Sequence, residues 1–241
     1  MTRVLLTGAA GGIGTAFREA MRDRFSFVCF DRVATPGEPG AVVADLTDLP
    51  ALERAAAGCD AVVHLAARRD EDDFLTRILP DNIVGTYHVF EAARRAKVGT
   101  FVFASSVQAE ERPERGMVTP DQPPVTLNTY AASKVLGEHL GLMYAHRYKM
   151  AVICLRMGWV SLPVDLEELK GHGRGAFTTV LTVRDCCGIL AAAVTAAGVE
   201  YAILPAMSRT AAAIRDLSLL ERTIGYAPQD DALELFDRGA F

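Results

Sequence analysis

A glycine-rich turn near the start of the chain constrains its fold more than any other feature. Val4-Leu5-Leu6-Thr7 reads as the end of a buried strand, Gly8-Ala9-Ala10-Gly11-Gly12-Ile13-Gly14 follows, and a helical pattern begins at once. Gly8 permits a tight turn, Gly11 lets backbone approach a ligand closely, and Gly14 lets helix and strand pack. Free N–H groups and the positive end of a helix dipole then face outward. That arrangement suits a pyrophosphate over Gly11, Gly12, Ile13 and Gly14. A lone glycine turn can be structural, but strand, turn and helix in this order point to dinucleotide binding.

The rest of the chain repeats the pattern. Arg3 to Thr7, Phe25 to Asp31, Ala41 to Ala44, Asp60 to Leu65, Thr100 to Ser105 and Met150 to Arg156 read as strands. Most are continuously apolar, as expected of parallel strands covered on both faces. Helical patterns lie between them at Gly14 to Arg24, Leu49 to Ala57, Asp81 to Lys97 and Thr129 to Tyr148. This alternation predicts an α/β fold with a Rossmann-type, doubly wound parallel sheet. A further helix, Asp185 to Ala197, a strand, Tyr201 to Leu204, and a helix–turn–helix tail from Asp216 to Phe241 complete the chain. We expect residues 1–158 to form the dinucleotide-binding domain. Residues 159–241 form a small substrate-binding region packed on the same sheet.

Two stretches break the rhythm. Glu110 to Asn128 holds Pro113, Pro120, Pro123 and Pro124, and Val160 to Thr178 holds Pro163, Gly171, Gly173 and Gly175. Loops this long in a compact domain are usually functional. The second is expected to be a mobile lid at the substrate pocket.

Composition narrows the class of partner. A chain of 241 residues with net charge −5 and no basic block is a poor nucleic-acid binder. Mean hydropathy is +0.18, yet no apolar run reaches the roughly 18 residues of a membrane span. The apolar stretch after Met1-Thr2-Arg3 is too short for a signal peptide. Five cysteines without metal-ligand spacing suggest reduced thiols, a cytoplasmic location and no metal.

Other strand ends suggest the remaining cofactor contacts. Asp31 closes the second strand about 20 residues past the glycines, where a carboxylate accepts from ribose hydroxyls and repels the extra phosphate of NADP. Arg32 follows and could instead cradle that phosphate, so NAD is favoured and NADP possible. Asp45-Leu46 ends the third strand, where the Asp either meets adenine or caps a turn. Leu65, Ala66 and Ala67 end the fourth, small enough to let a cofactor pass. His64, inside an apolar run, reads as a core histidine with satisfied nitrogens.

Tyr130 and Lys134 lie four apart on one helix face. A nearby ammonium favours the phenolate and suits Tyr130 to general-base work. Ser105-Ser106 ends the fifth strand, on the edge where ligands bind in such sheets. A Ser hydroxyl there could hold a substrate oxygen near the Tyr.

With these residues in view, the chain resembles the extended branch of the short-chain dehydrogenase/reductase superfamily, the NAD-dependent epimerases and dehydratases. The matching pieces are Thr7-Gly8-x-x-Gly11-x-x-Gly14, His64-Leu65-Ala66-Ala67, Asp81-Asn82-x-x-Gly85-Thr86, Phe103-Ala104-Ser105-Ser106 and Tyr130-Ala131-Ala132-Ser133-Lys134. The resemblance implies Ser106 as the triad serine, Tyr130 as the base and Lys134 as the nicotinamide-ribose contact. It implies Asn82 as the asparagine beside the active site. Within the branch the chain is most similar to uronate dehydrogenases, which oxidise the anomeric hydroxyl of a hexuronate to a lactone. It departs from them at Val107-Gln108, where they carry Asn-His, and at Trp159, where they carry Ser. Arg174 falls near their carboxylate-binding arginine, and a solvated loop charge is its other reading.

The expected activity is therefore NAD-dependent hydride transfer from a sugar, uronate-like or otherwise, or another small hydroxyl or carbonyl substrate. Ser106, Gln108, Trp159 and Arg174 stand on the substrate side. The alternatives are a nucleotide-sugar epimerase or dehydratase, and a dinucleotide sensor without turnover. A short carboxy-terminal region counts against the first and an intact Ser-Tyr-Lys set against the second. The resemblance also implies a homodimer, paired through Val84, Val89, Leu136, Leu140 and Met143.

Overall fold

The computed structural model describes residues 1–69, 72–110, 117–210 and 213–241. Apolar runs without alternation become parallel strands here because helices cover both faces of the sheet. The elements run β1 (Thr2–Thr7), α1 (Gly12–Met21), β2 (Phe25–Asp31), β3 (Val42–Val43), α2 (Leu49–Ala56) and β4 (Ala61–His64). A π-helical segment, Phe74–Gly85, leads into α3 (Thr86–Arg95). Then come β5 (Thr100–Ser106), α4 (Thr129–Tyr148), β6 (Ala151–Met157) and β7 (Trp159–Val160). The chain ends with α5 (Leu166–Gly171), β8 (Val180–Leu181), α6 (Val183–Thr195), β9 (Tyr201–Ala206), α7 (Ser218–Ile224) and α8 (Ala232–Asp237).

The main sheet has the order β3-β2-β1-β4-β5-β6-β9, every pairing parallel. The order reverses between β1 and β4, a switch point that opens a crevice at their carboxyl ends. Thr7 of β1 sits in register with Phe30 of β2 and His64 of β4, so the glycine turn leaves the sheet at that crevice. One face of the sheet buries Phe17, Ile153, Leu155 and Leu190 beneath α1 and α6. The other buries Leu52, Phe90, Phe101 and Tyr144 beneath α2, α3 and α4. The carboxy-terminal region adds β9 to this sheet and a small cluster of its own: Leu169, Phe177, Val180, Ala232 and Leu233.

Two expectations need correction. The helix expected over Asp81 to Lys97 begins earlier, at Phe74, and changes winding at Gly85. Pro80 lies inside the wide-turn part, where it cannot donate an N–H. The stretch Val160 to Thr178 is not an irregular loop. It holds a 3-10 turn at Pro163–Asp165, α5, and a 3-10 segment at Arg174–Thr179, anchored by fully buried Leu169 and Phe177. Of the proline-rich loop, residues 111–116, including Pro113, lie outside the described residues. Beyond them, Val118 bridges to Arg215. No helix among the described residues is long and apolar enough to cross a membrane, and no group of His, Cys, Asp and Glu among them could hold a metal.

Candidate active site

The glycine turn is fixed by sterics. Gly8 has φ +75°, and a Cβ there would lie 2.7 Å from the Ala66 nitrogen. At Gly14 a Cβ would lie 2.2 Å from the Gly8 carbonyl oxygen. The turn is closed by Gly8 N–H donating to Phe30 O at 3.0 Å and Gly11 N–H to Gly8 O at 3.1 Å. Gly11 caps α1 with no side-chain hydrogen bond, and no acidic residue stands in the first turn. A helix start whose N–H groups lack side-chain acceptors, lined by glycines and without an acidic residue in its first turn, fits a pyrophosphate. Leu162 packs against Gly12, so the carboxy-terminal region touches this turn directly.

The strand ends beside it are rich in charge. Asp31 accepts from Ala10 N–H at 3.0 Å and Val33 N–H at 3.3 Å. Arg32 turns away to Asp81, at 2.5 Å, and Arg68 Nε donates to the same Asp81 oxygen at 2.6 Å. Asp45 accepts from the Thr47 backbone N–H and hydroxyl, which hold its carboxyl below the usual range. That is a turn-capping role. Leu46 is buried and packs where Gly85 lacks a side chain. Leu65 packs on the core and Ala66 abuts Gly8, while Ala67 is exposed. Ile13 is half-buried against the same core.

His64 is fully buried between the Thr7 hydroxyl at 2.6 Å and the Thr86 hydroxyl at 3.1 Å. Burial, with Lys134 nearby, pushes its pKa down to about 3, so it is neutral. Asn82 is also buried. Its amide accepts from Arg68 N–H at 2.7 Å and donates to Arg68 O and the Ser133 hydroxyl, each at 3.1 Å. Ser133 in turn donates to Tyr130 O, which ties Asn82 to the helix carrying the tyrosine.

Ties near the first turns of α4 hold it to the end of β5. Lys134 Nζ donates to Ala104 O at 2.8 Å, and Asn128 Nδ2 donates to Gln108 Oε1 at 2.8 Å. Asn128 also caps α4 through Ala131 N–H, placing Tyr130 in the first turn, where the helix dipole favours a phenolate. Lys134 Nζ sits 5.5 Å from the centre of the Tyr130 ring. Burial pushes the Lys134 ammonium down to about 8. The adjacent serines diverge, as alternate residues of a strand must. Ser105 donates inward to Glu138 at 2.6 Å, while Ser106 accepts from Gln108 N–H at 3.2 Å and begins the turn after β5. Ser106 is thus the serine left for a ligand.

Sequence reasoning did not anticipate the charges behind this site. Glu138 takes two hydrogen bonds from Arg156, both at 2.9 Å. Arg156 reaches on to Glu110 at 3.3 Å, and Glu110 also accepts from Arg215. All four side chains are buried. A signal existed: Glu138 lies four residues past Lys134 on one helix, and Arg156 interrupts an apolar strand. A buried arginine requires a carboxylate partner. The substrate-side residues are more dispersed. Trp159 packs against the carboxy-terminal cluster, 5.3 Å from His172, and Arg174 forks onto Asp237 with two bonds of 2.9 Å.

Comparisons with known proteins agree with this geometry. Residues 4–177 match the NAD dependent epimerase/dehydratase family. The chain is 34% identical to the L-arabinose 1-dehydrogenase (NAD(P)(+)) of Haloferax volcanii, over 96% of this chain and 98% of that one. It is 30% identical to the uronate dehydrogenase of Pseudomonas syringae pv. tomato, over 95% and 82%. Among solved structures, a mutant uronate dehydrogenase from Agrobacterium tumefaciens complexed with NAD superposes with a TM-score of 0.87 at 28% identity, covering 99% of this chain and 88% of that one.

Proposed function

We propose that this chain, which belongs to the NAD dependent epimerase/dehydratase family, is an NAD-dependent dehydrogenase that oxidises the anomeric hydroxyl of a small sugar. The observation that carries the reading is the pair of ties, Lys134 to Ala104 and Asn128 to Gln108, that seat Tyr130 beside the end of β5. Bound NAD supplies a hydride acceptor in its nicotinamide ring. The glycine turn holds the pyrophosphate, Asp31 the adenosine ribose, and Lys134 the nicotinamide ribose. Asp45, Leu46, Leu65 to Ala67 and Asn82 complete the cofactor's walls, while Arg32 is held off at their edge by Asp81. Tyr130 accepts the sugar hydroxyl proton, with Lys134 and the helix dipole favouring its phenolate. Ser106 donates to the oxygen from which the proton leaves.

On the substrate side stand Gln108, Trp159 and Arg174, with residues 159–241 as the substrate region. The Arg174–Asp237 pair is exposed, so exchanging Asp237 for a substrate carboxylate costs little. Hexuronates and neutral aldoses are both candidate substrates, and the cytoplasm is the expected compartment. Two copies pair through Val84, Leu136 and Met143, which are exposed. Val89 is excluded because it is fully buried, and Leu140 leans on the core. Light scattering that returns a monomer mass at micromolar concentration would count against pairing.

The test of function is incubation with NAD and a panel of arabinose, galactose, galacturonate, glucuronate and glucose 6-phosphate, following NADH absorbance. Net NADH with at least one sugar is expected. Epimer formation without net NADH would favour the epimerase reading. Tyr130→Phe should lower kcat by about 100- to 10,000-fold with NAD affinity unchanged. A variant turning over at the parent rate would remove Tyr130 from the chemistry.

A further inference from the structure

Asp81 and Asn82 are adjacent in sequence, yet both are buried, with 4% and 3% of their surface exposed. Both lie in the π-helical segment, and π turns recur at functional sites. Asn82 holds the main chain of Arg68 by two hydrogen bonds. Asp81 holds the Arg68 side chain, and with the same oxygen it holds Arg32. One buried carboxylate therefore faces two guanidiniums. Both guanidiniums also lie near enough to Asp45 to help depress its carboxyl, which puts them along the β2 and β3 strand ends. Arg32 comes from the residue after Asp31, 38% exposed along its side chain.

We propose that Asp81 is a positioning residue that sets coenzyme choice by tethering Arg32. The inference rests on the NAD reading above. An arginine following the second strand is placed to fork onto a 2′-phosphate. Tied to Asp81, Arg32 has its charge balanced and its N–H groups drawn toward the π-helical segment. The unopposed charge at the ribose edge is then Asp31, which accepts from hydroxyls and repels a phosphate. The same tether works at a distance from the reacting atoms, so it changes cofactor affinity and leaves the proton chemistry of Tyr130 alone. Loss of the Asp81 charge would free Arg32, and the edge would go from net negative to balanced, with Arg32 and Arg68 set against Asp31 and Asp45.

Isothermal titration of the full chain with NAD and with NADP tests this without turnover. The parent should bind NAD more tightly. Asp81→Asn should lower the ratio of the NADP to the NAD dissociation constant by about tenfold or more, the worth of a charge-assisted hydrogen bond. Most of that change should come from tighter NADP. Adding Arg32→Ala to Asp81→Asn should restore the parent ratio. A folded Asp81→Asn protein with the parent ratio overturns the proposal, and so does a double variant that keeps the gain, since Arg68 would then supply it. If Asp81→Asn does not fold, Arg32→Ala decides. A tethered Arg32 predicts NADP affinity within about twofold of the parent, whereas a loss of about tenfold means Arg32 already serves the phosphate. A parent that prefers NADP, or binds neither, defeats the NAD reading itself before any variant is compared.

Discussion

Two glycine-rich stretches of this chain differ in what surrounds them. An added Cβ would strike backbone at 2.7 Å from Gly8 and 2.2 Å from Gly14, but at Gly171, Gly173 and Gly175 it would meet nothing within 4 Å. The same contrast separates the arginine–carboxylate pairs. Glu138–Arg156 and Glu110–Arg215 are buried behind β5 and β6, while Arg174–Asp237 lies in solvent. The glycine turn is thus fixed by contacts that allow no other residue at Gly8 and Gly14. Residues 163–179 and 232–241 instead rest on a small apolar cluster, short helices and surface charge. A cofactor is the same in every turnover, and its cradle gains from rigidity. A surface segment held in this way can vary without disturbing the sheet.

Removing one member from each kind of ion pair breaks this comparison most sharply. Glu138→Ala leaves Arg156 buried and short of its partner, and should cost about 3–5 kcal/mol of stability. Asp237→Ala removes an equally well-formed fork in solvent, and should leave stability nearly unchanged. Urea unfolding monitored by circular dichroism gives both values. Equal losses would mean that burial does not separate the two halves.

Glycine substitutions come next. Gly14→Ala pushes a methyl into the Gly8 carbonyl, and should cost about 1–3 kcal/mol through overpacking while NAD affinity collapses. Gly171→Ala, in α5 with open space and no positive φ, should be neutral or up to about 1 kcal/mol stabilising. Thermal melts with and without NAD measure both. A Gly171→Ala protein as damaged as Gly14→Ala would restore the flexible-lid reading of that segment.

The same contrast explains what could be read from the chain alone. Strand Phe25–Asp31 and helix Thr129–Tyr148 fall where the residue pattern puts them. Gly8 and Gly14 were legible because only glycine satisfies that turn. The π-helical winding at Phe74–Gly85 was not, since residue pattern alone does not show a turn widening by one residue. Nor were the partners of Arg215 and Arg174, which lie 105 and 63 residues away. Pairing of that kind depends on which chain ends the sheet brings together. The segment Val160 to Thr178 looked unstructured because its order comes from Leu169 and Phe177 docking on α8 residues, not from its own sequence.

The smallest effect concerns a charge that the rigid half keeps without a carboxylate hydrogen-bonded to it among the described residues. Lys134 is buried, donates to Ala104 O, and has its pKa lowered to about 8 by desolvation. In the unfolded chain the group keeps its ordinary value of 10.5. Below about pH 8 both states hold the proton, and the slope of stability with pH from this group is zero. Between pH 8 and 10.5 the unfolded state holds the proton and the folded state has lost it. The unfolded state then binds more protons, so stability rises with pH, by at most about 1.4 kcal/mol per pH unit. Other groups titrate there too, so the parent must be compared with Lys134→Met. The difference in melting behaviour between pH 8 and 10 should show a rise in the parent that the variant lacks. Saturating NAD should shrink that rise, because ribose hydroxyls that accept from the ammonium hold its proton on to higher pH. Parallel curves for parent and variant would mean that Lys134 is not held at a depressed value. A rise untouched by NAD would mean that the ammonium does not meet the ribose.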